Sequence, residues 1–463
     1  MSSTATATVI IVNYNGAHLL PACLDGLAGQ VLASADRTDE LSFDTVVVDN
    51  ASSDGSVELL ARDYPWVRVM ANADNLGFAG GNNVALREVR TPYAVLLNND
   101  AVPEPGWLAN LLAVFSAPGN VDVGIVTGKV LFLPKFAEVA LNTEGFQPNS
   151  SDTRDLGVRI YGVEVDGVEV SDKILWEQAV YGPEGSGSGR FRWSRPAGTF
   201  LVPLPGDAAG PKSVERRVRM TMSVAGERAK QLTLMVNGRL VAVQATSGRS
   251  TVSVDIEAGT PVFDVINNAG GEVFAEGSGG DRGFQQVDRG QYDEPAEVFT
   301  ACGNGMAMRT AIGHEIGWFD DAFFMYYEDT DLSWRWRSAG WHIRYEPSAV
   351  LRHIHAASSK EWSPRWVFHV ERNRMLMLTK NATADLARAA VGGYLRESLA
   401  ASVVAARQLL VQRRRPGLRA LLLRWRVLGS YSTHLPAALR HRISLARKAH
   451  VRKGDLQRWL VPR

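Results

Sequence analysis

A carboxylate-rich segment follows an aromatic run at residues 323–337, "FFMYYEDTDLSWRWR". Three carboxylates, Glu328, Asp329 and Asp331, come directly after a run of apolar and aromatic residues. A carboxylate is a weak base in water, but apolar surroundings and neighbouring negative charge raise its pKa. A carboxylate in that environment can accept a proton from a reacting group. The alternative is structural: the three residues cap the helix that "TDLSWRWR" predicts, and Asp331 pairs with Arg335 four residues later.

Polar residues also follow an apolar run near the N-terminus. The stretch "VVVDNASSDGS", residues 46–56, places Asp49 at the end of a predicted strand, where a carboxylate can accept hydrogen bonds from a nucleobase. The alternative is an N-cap at Ser52 or Ser53, with Asp54 serving the helix dipole. We favour this alternative for Asp54, and both interpretations of Asp49 stay open.

Two further strand ends carry groups that suit a metal ion. "VLLNNDAVPEPGWL", residues 95–108, includes Asp100, and a carboxylate there suits a hard divalent cation that bridges phosphates. Its alternative is an Asx turn that caps the next helix. "VLRHIHAASS", residues 350–359, brings His353 and His355 off another apolar run. Alternate residues of a strand share a face, so both histidines could reach one site.

A glycine-rich stretch, "NLGFAGGNNVAL" at residues 75–86, precedes a predicted helix. Glycines let the backbone approach a ligand closely, and a helix N-terminus favours a phosphate. Such turns are also common without ligands, so the stretch alone is weak evidence for a site.

The elements that must position these residues change in type along the chain. Residues 8–133 alternate short apolar runs with helical patterns, which predicts a parallel sheet covered on both faces. Residues 134–262 alternate with period two around Asp166-Gly167 and Asn237-Gly238, which predicts an inserted antiparallel β-sandwich. The α/β pattern resumes over 263–384. We therefore predict four parts: 1–133, 134–262, 263–384 and a C-terminal part, 385–463.

The C-terminal part is strongly basic. It holds 17 Arg and Lys against 3 Asp and Glu, a balance of +14, and the first 384 residues carry 33 against 46, a balance of −13. Its apolar residues at helical spacing between arginines predict amphipathic helices on an anionic membrane, or helices packed on the acidic body. The chain has 2 cysteines, which fits a reducing compartment. No run of 18 apolar residues is present, and the N-terminus predicts a strand rather than a signal peptide.

Taken in order, six stretches together resemble the motif series of family 2 glycosyltransferases, the inverting type with a GT-A fold. The six are "VIIVNYN", "VVVDNASSDGS", "NLGFAGGNN", "VLLNND", "GWFDDAFFMYYEDTDLSWR" and "VLRHIHAASS". The likeness is greatest to the bacterial rhamnosyltransferase and galactofuranosyltransferase branch. The resemblance implies a GT-A core, Rossmann-like and nucleotide-sugar-binding, formed by 1–133 as the donor half and 263–384 as the acceptor and catalytic half.

The resemblance also implies residue roles on the donor side. Three residues would hold the nucleoside: Asn13, Asn15 and Asp49. Four would line the donor pocket: Gly80, Gly81, Asn82 and Asn83. Asp100 would be the retained aspartate of the DxD motif and coordinate Mg²⁺ or Mn²⁺ on the diphosphate, with His353 as a further ligand. Asn98 stands where the first aspartate of that motif often is, which weakens the expectation of metal dependence.

On the acceptor side the resemblance makes Asp329 the catalytic base. Glu328 and Asp331 would add negative charge beside it, so Glu328 is included in the catalytic pair. We accept the structural interpretation for Asp331 and reject it for Asp329. A nucleotidyltransferase on a similar sheet would need a lysine-bearing glycine loop after the first strand, and "NYNGAHLLP" supplies none.

The function implied is that of an inverting hexosyltransferase acting on a nucleotide-diphosphate sugar. The donor expected first is thymidine-diphosphate rhamnose, with uridine-diphosphate galactofuranose next, and the acceptor is a cell-envelope or polyprenyl-linked glycan. A cytoplasmic protein with peripheral contact at the inner face of the membrane is expected, without a nucleic-acid partner. The alternative is a catalytically silent glycan-binding or scaffold protein that uses the β-sandwich, in which Trp176, Phe191 and Trp193 could stack on sugars or fill a core.

Overall fold

The computed structural model describes residues 5–30, 42–176, 179–185, 187–205, 214, 216–354, 362–413 and 417–463. His355, the second histidine of the predicted pair, lies outside them. The chain divides into two compact units. The first comprises residues 1–131, 267–284 and 290–463, and the second comprises 132–266 and 285–289.

The N-terminal part alternates strands with helices, as the apolar pattern predicts. Its elements are β1 (Ala7–Asn13), α1 (Leu20–Ala28), β2 (Phe43–Asp49), α2 (Ser56–Asp63), β3 (Arg68–Ala71), α3 (Gly77–Leu86), β4 (Tyr93–Leu97), β5 (Ala101–Pro103), α4 (Trp107–Ser116) and β6 (Val123–Phe132).

The next part is antiparallel. Its elements are β7 (Phe136–Thr143), β8 (Arg159–Val165), β9 (Val168–Glu169), β10 (Val180–Glu184), β11 (Phe191–Ser194), β12 (Ala197–Pro203), β13 (Val218–Val236), β14 (Arg239–Ile256) and β15 (Ile266–Asn268).

The remaining elements return to mixed α and β. They are β16 (Gly271–Val273), β17 (Gly279–Asp281), β18 (Ala296–Glu297), β19 (Gly305–Arg309), α5 (Thr310–Ile316), α6 (Glu328–Ser338), β20 (His342–His353), α7 (Pro364–Asn381), α8 (Ala384–Leu410), α9 (Leu418–Lys448) and α10 (Lys453–Leu456).

The main sheet of the first unit has the order β18-β20-β6-β19-β4-β1-β2-β3. Strands β1 to β4 are parallel to one another, which confirms the parallel prediction for this part of the chain. The antiparallel strand β19 lies between β4 and β6, so the complete sheet is mixed. β19 comes from the later half of the chain, and the sequence pattern of 8–133 could not reveal it.

Burial explains why the apolar runs become central strands. Along β1, Val9 and Ile11 face one core together with Leu24 of α1 and Leu111 of α4. On the opposite face, Gly81 of α3 lies so close to Val12 that an added Cβ would come within 2.9 Å of its side chain. Both faces of the strand are therefore covered, as continuous apolar runs require.

The second unit is an antiparallel sheet built around one long hairpin. Strand β13 pairs with β14, and the two-residue turn between them, Asn237-Gly238, has positive φ at both positions, as a type I′ turn requires. Residues 220–225 of β13 pair with β8, and residues 232–236 pair with β7. Both halves contribute buried side chains to one core, which explains how a single hairpin supports the fold of this unit.

The aromatic residues singled out in this unit pack mainly against other side chains. Trp193 is buried and contacts the rings of Phe146 and Phe191. Trp176 packs on the buried Phe200. These contacts are typical of core aromatics rather than of a sugar-binding platform. The unit spans 132–266 with 285–289, slightly more than the predicted 134–262.

The basic C-terminal part forms two long helices that pack against α7. Tyr394 of α8 and Val427 and Tyr431 of α9 join a core with Met375 of α7. The Tyr431 hydroxyl lies 2.9 Å from the Thr379 hydroxyl. Among the described residues, no helix combines the length and the apolar content that a bilayer crossing requires. The inner parts of these helices therefore pack on the rest of the unit, which was one of the two expectations for the basic C-terminal part; the other was contact with an anionic membrane.

Candidate active site

The carboxyl ends of β1, β2 and β4 bring the predicted nucleoside residues together. Strand register places Asn13 opposite Asp49. Asn13 Nδ2 donates to Asp49 Oδ1 at 3.1 Å, and Asn13 Oδ1 accepts a hydrogen bond from Asn99 Nδ2 at 2.8 Å. The backbone N–H of Ser52 donates to Asp49 Oδ2 at 2.9 Å. Asp49 is thus a buried carboxylate, held by two donors at the edge where ligands of parallel sheets bind.

Asn15 and Asp54 organise the turn that follows β2. Asn15 Oδ1 accepts a hydrogen bond from the Ser53 N–H at 2.8 Å. Helix α2 begins after Gly55, so the predicted N-cap at Ser52 or Ser53 is wrong. Asp54 Oδ1 accepts from the Ser56 N–H at 3.2 Å, in agreement with its predicted role at the helix start. Burial opposes ionisation of Asp54, but hydrogen bonds from Ser56 and Ala17 lower its pKa.

The four residues predicted to line the donor pocket lie inside α3, which begins at Gly77. The prediction that the glycine-rich stretch precedes the helix is therefore wrong. Asn83 Nδ2 donates to the Phe319 carbonyl at 2.8 Å, and Asn82 Nδ2 donates to the Phe78 carbonyl at 2.9 Å.

The hydrogen bonds of Asn82 and Asn83 are typical of a packed helix and do not support a role in lining a donor pocket. The start of α3 is also occupied. The Gly77 N–H donates to Asn75 Oδ1 at 2.9 Å, and the Ala79 N–H donates to the Phe324 carbonyl at 3.1 Å. A phosphate would have to displace these bonds.

Asp100 and His353 form a buried pair at the same edge of the sheet. Strand β5 pairs with β20 so that His353 lies opposite Ala101, next to Asp100. His353 Nε2 lies 3.1 Å from Asp100 Oδ1. The two atoms are not aligned as donor and acceptor, and neither has a hydrogen-bond partner among the described residues. The second ring nitrogen of His353, Nδ1, is likewise buried without one.

Unpaired buried polar atoms are costly, and ligation of a cation would satisfy these. A carboxylate oxygen and an imidazole nitrogen fit a divalent metal chemically. The described residues contain no group of three His, Cys, Asp or Glu that would complete a site from protein side chains alone. Asn98 lies at the end of β4, and its backbone N–H donates to the Asn304 carbonyl at 3.0 Å.

Asp329 is held at the start of α6, directly after the aromatic run. Its Oδ2 accepts from the Gly303 N–H at 3.2 Å, and its Oδ1 accepts from the Thr330 N–H at 2.6 Å. Burial raises the pKa of Asp329 above its usual range, and these hydrogen bonds oppose the rise only in part. The carboxylate therefore holds a proton more readily than an exposed aspartate, as a general base requires.

The two neighbouring carboxylates differ in their surroundings. Burial, followed by the charge of Asp329, raises the pKa of Glu328 well above its usual range. Asp331 is paired with Arg335, whose Nε donates at 2.9 Å, and with Lys380, whose Nζ donates at 2.9 Å. The prediction that Asp331 supplies negative charge to Asp329 is wrong, because Arg335 and Lys380 compensate its charge. The role of Glu328 beside Asp329 stays a prediction. The Asp331–Arg335 pair itself is confirmed.

A short loop that the sequence analysis overlooked joins the two sets of residues. Gly303 donates to Asp329, and the next residue, Asn304, accepts from the N–H of Asn98, two residues before Asp100. Asn304 Oδ1 is buried without a hydrogen-bond partner among the described residues. The signal in the sequence is "CGNG", a turn just before β19, whose start lies at the same edge as the end of β4.

One family model matches the N-terminal part of the chain. Residues 8–148 match the family model described as glycosyl transferase family 2. This segment is similar to the members of that family. It contains Asn13, Asp49 and Asp100, and it ends before Asp329 and His353.

Curated relatives match this chain over short stretches. The teichoic acid poly(glycerol phosphate) polymerase of Staphylococcus epidermidis is 32% identical over 97 residues, which cover 20% of this chain and 12% of the polymerase. The N-acetylglucosaminyl-diphospho-decaprenol L-rhamnosyltransferase of Mycobacterium tuberculosis is 40% identical over 68 residues, or 14% of this chain and 22% of the relative. The matches thus span less than a quarter of either relative.

A solved structure of GalNAc-T7 with UDP, GalNAc and Mn²⁺ also aligns with the chain. It is 11% identical, with a TM-score of 0.44, and the alignment covers 87% of this chain and 52% of that structure.

Proposed function

We propose that the protein is an inverting glycosyltransferase that moves a sugar from a nucleotide-diphosphate donor to a cell-envelope or lipid-linked glycan. One observation carries the proposal. A half-buried carboxylate, Asp329, is linked through Gly303 and Asn304 to the end of β4, where Asp100 faces His353. A proton acceptor and a cation-binding pair connected in this way are what transfer from a sugar diphosphate needs.

Asp329 performs the proton step in this proposal. The acceptor hydroxyl oxygen attacks the anomeric carbon, its proton passes to an Asp329 carboxylate oxygen, and the bond between the sugar and the diphosphate breaks. The Gly303 and Thr330 N–H groups hold the carboxylate in one orientation, so that an oxygen lone pair faces the acceptor. Attack opposite to the leaving group inverts the anomeric centre.

Asp100 and His353 are the proposed ligands of Mg²⁺ or Mn²⁺. When bound, such a cation supplies positive charge that stabilises the departing diphosphate. Asn13, Asn15 and Asp49 hold the nucleoside. Thymidine-diphosphate rhamnose is the proposed donor, and uridine-diphosphate galactofuranose is the second candidate. The rhamnosyltransferase relative supports this order.

Nucleotide binding provides the first test. Ligands at a hundred times their dissociation constant raise the free energy of unfolding by about 2.7 kcal/mol, so UDP or dTDP with Mn²⁺ should raise Tm measurably. We expect Asp49→Asn to reduce this rise, because the amide can no longer accept two hydrogen bonds from a base and the backbone. Asp54→Asn, a change of the same type five residues later, should keep it. Absence of any nucleotide effect on the unaltered protein would count against the enzyme.

The outer halves of α8 and α9 are the proposed membrane contact. Apolar residues there are largely exposed, with Val403 at 69%, Leu410 at 77% and Leu422 at 61%, so they lack the cover that Tyr394 and Tyr431 have. The sequence between 395 and 426 holds eight arginines and one acidic residue. Apolar stripes flanked by cations are complementary to an anionic bilayer surface.

Vesicle binding tests this contact. Replacing Leu399, Val403 and Leu422 together by Ser should weaken binding to vesicles of phosphatidylglycerol and phosphatidylcholine by roughly tenfold or more, since each buried aliphatic group contributes about 1.5–3 kcal/mol at most. The matched control replaces three exposed apolar residues of the second unit by Ser: Val168, Leu240 and Val243. Equal sedimentation of both variants with the vesicles would contradict the proposed surface.

A further inference from the structure

The turn that delivers Asp329 to the site is strained. Phe324 has φ 65° and ψ −63°, and the Met325 N–H donates to the Phe323 carbonyl at 2.8 Å, which defines a classic γ-turn. Tyr326 and Tyr327 also have positive φ, 71° and 67°. Non-glycine residues in this region cost about 1–3 kcal/mol each and persist only when their surroundings fix them. Three of them in four residues, directly before α6, need an external support.

Asn373 of α7 provides that support from one side. It is fully buried, and its Nδ2 donates to the Phe323, Met325 and Tyr326 carbonyls at 2.8, 2.9 and 2.8 Å. Its Oδ1 accepts from Arg372 Nε at 2.9 Å, which fixes the amide with its N–H groups toward the turn. One side chain thus satisfies carbonyls on both sides of the γ-turn.

Helix α3 closes the turn from the other side. The Ala79 N–H donates to the Phe324 carbonyl at 3.1 Å. Gly77, with φ 71°, packs directly against Phe324 at a place where a Cβ would collide with both its carbonyl and its ring. The turn is therefore clamped between α3 and Asn373. Asn373 bonds to the carbonyls of three residues in it.

We propose that Asn373 is a positioning residue, which holds the turn at residues 323–327 so that Asp329 is presented to the acceptor hydroxyl. The inference rests on the proposed function, because it assigns Asn373 a role in the same proton transfer. Asn373 itself does not touch the reacting atoms. Its loss lets the γ-turn relax toward negative φ, which rotates the first turn of α6 away from Gly303.

Asn381 offers a matched control on the same helix. It is a buried asparagine whose Nδ2 donates to Asp331 Oδ1 at 2.8 Å and to the Met377 carbonyl at 3.1 Å. Asn381→Ala therefore removes a buried amide of the same kind from the structural Asp331 network. A general loss of stability should affect both variants, but displacement of the turn should follow only from Asn373→Ala.

The experiment compares Asn373→Ala, Asn381→Ala and the unaltered full-length protein. Turnover of dTDP-rhamnose and UDP-galactofuranose is followed with water as acceptor, together with amide hydrogen exchange of residues 323–330. We expect Asn373→Ala to lower kcat by about a hundredfold with an unchanged donor KM, as small misplacements of catalytic groups do. Exchange should accelerate in that segment. The acid limb of the pH profile, where kcat falls as the base becomes protonated, should move to lower pH. The reason is that a less buried Asp329 has a lower pKa.

Several results would overturn the positioning role. They are equal kcat losses in the two asparagine variants, an unmoved acid limb, or unchanged exchange in residues 323–330. Asn373→Asp, which keeps the size and the acceptor for Arg372 but removes the amide donors, should behave as Asn373→Ala does and replaces it if the alanine variant does not fold. Full activity of Asn373→Ala beside an active unaltered protein defeats only this inference. An unaltered protein that turns over neither donor defeats the proposed function as well.

Discussion

Asp329→Asn is expected to lower kcat by about 10²–10⁴-fold and to leave the binding of UDP or dTDP unchanged. The amide has the size of the carboxylate and can still accept the Gly303 hydrogen bond, but it cannot take a proton from the acceptor. Initial rates with a nucleotide-sugar donor measure the loss, and calorimetry measures nucleotide binding. Asp321→Asn is the matched control, because Asp321 is an exposed carboxylate close in sequence that pairs with Arg87.

The pH dependence of the unaltered enzyme should identify the same group. Burial raises the pKa of Asp329, and the base must be deprotonated, so kcat should fall at a higher pH than an ordinary aspartate would give. Among its titratable neighbours, Tyr327 and Cys302 have raised pKa values and stay neutral in the acid range, and Asp331 is paired with Arg335. Burial raises the pKa of Glu328 as well, so the comparison with Asp329→Asn assigns the fall in kcat. Transfer by Asp329→Asn at a comparable rate, with the same acid limb, would remove the assignment.

Asp100→Ala should abolish the effect of Mn²⁺ or Mg²⁺ on nucleotide binding and lower kcat/KM by about 10²–10³-fold, the scale expected when one electrostatic partner of a leaving group is lost. The stability of the metal-free protein should not fall, since Asp100 Oδ1 has no hydrogen-bond partner among the described residues. Loss of activity together with an unchanged or higher Tm distinguishes a ligand from a structural carboxylate.

The surface offers a matched carboxylate and histidine pair for comparison. His342 lies on β20, the same strand as His353. Its Nε2 lies 3.5 Å from Asp122 Oδ2, and the side chains of His342 and Asp122 are half exposed. Asp122→Ala should leave the Mn²⁺ effect on dTDP and UDP affinity intact. If Mn²⁺ increases the nucleotide affinity of Asp100→Ala as much as that of the unaltered protein, the cation is held by other residues. Calorimetric titration measures this affinity.

The sequence by itself determined the elements and the identity of most polar groups at their ends. Continuous apolar runs such as Val46–Val48 predict buried strands, and turn residues such as Asn237-Gly238 predict a hairpin, because both depend on local backbone and solvation rules. Asp49 and Asp100 follow from parallel strands, whose carboxyl ends must share one edge, and the family resemblance added Asn13. The pairing of Asp331 with Arg335 was equally predictable, since residues four apart on a helix are neighbours.

The tertiary structure alone decided the charge and orientation of the site. Glu328 and Asp331 belong to the same short carboxylate cluster, but burial raises the pKa of the first, and Lys380, 49 positions away, compensates the charge of the second. The contacts of Asp329 with Gly303, of Asp100 with His353 and of Asn373 with the γ-turn also join distant segments. A pKa or an unusual φ depends on which groups surround a residue in space. Sequence spacing does not specify those groups, because chain packing brings them together.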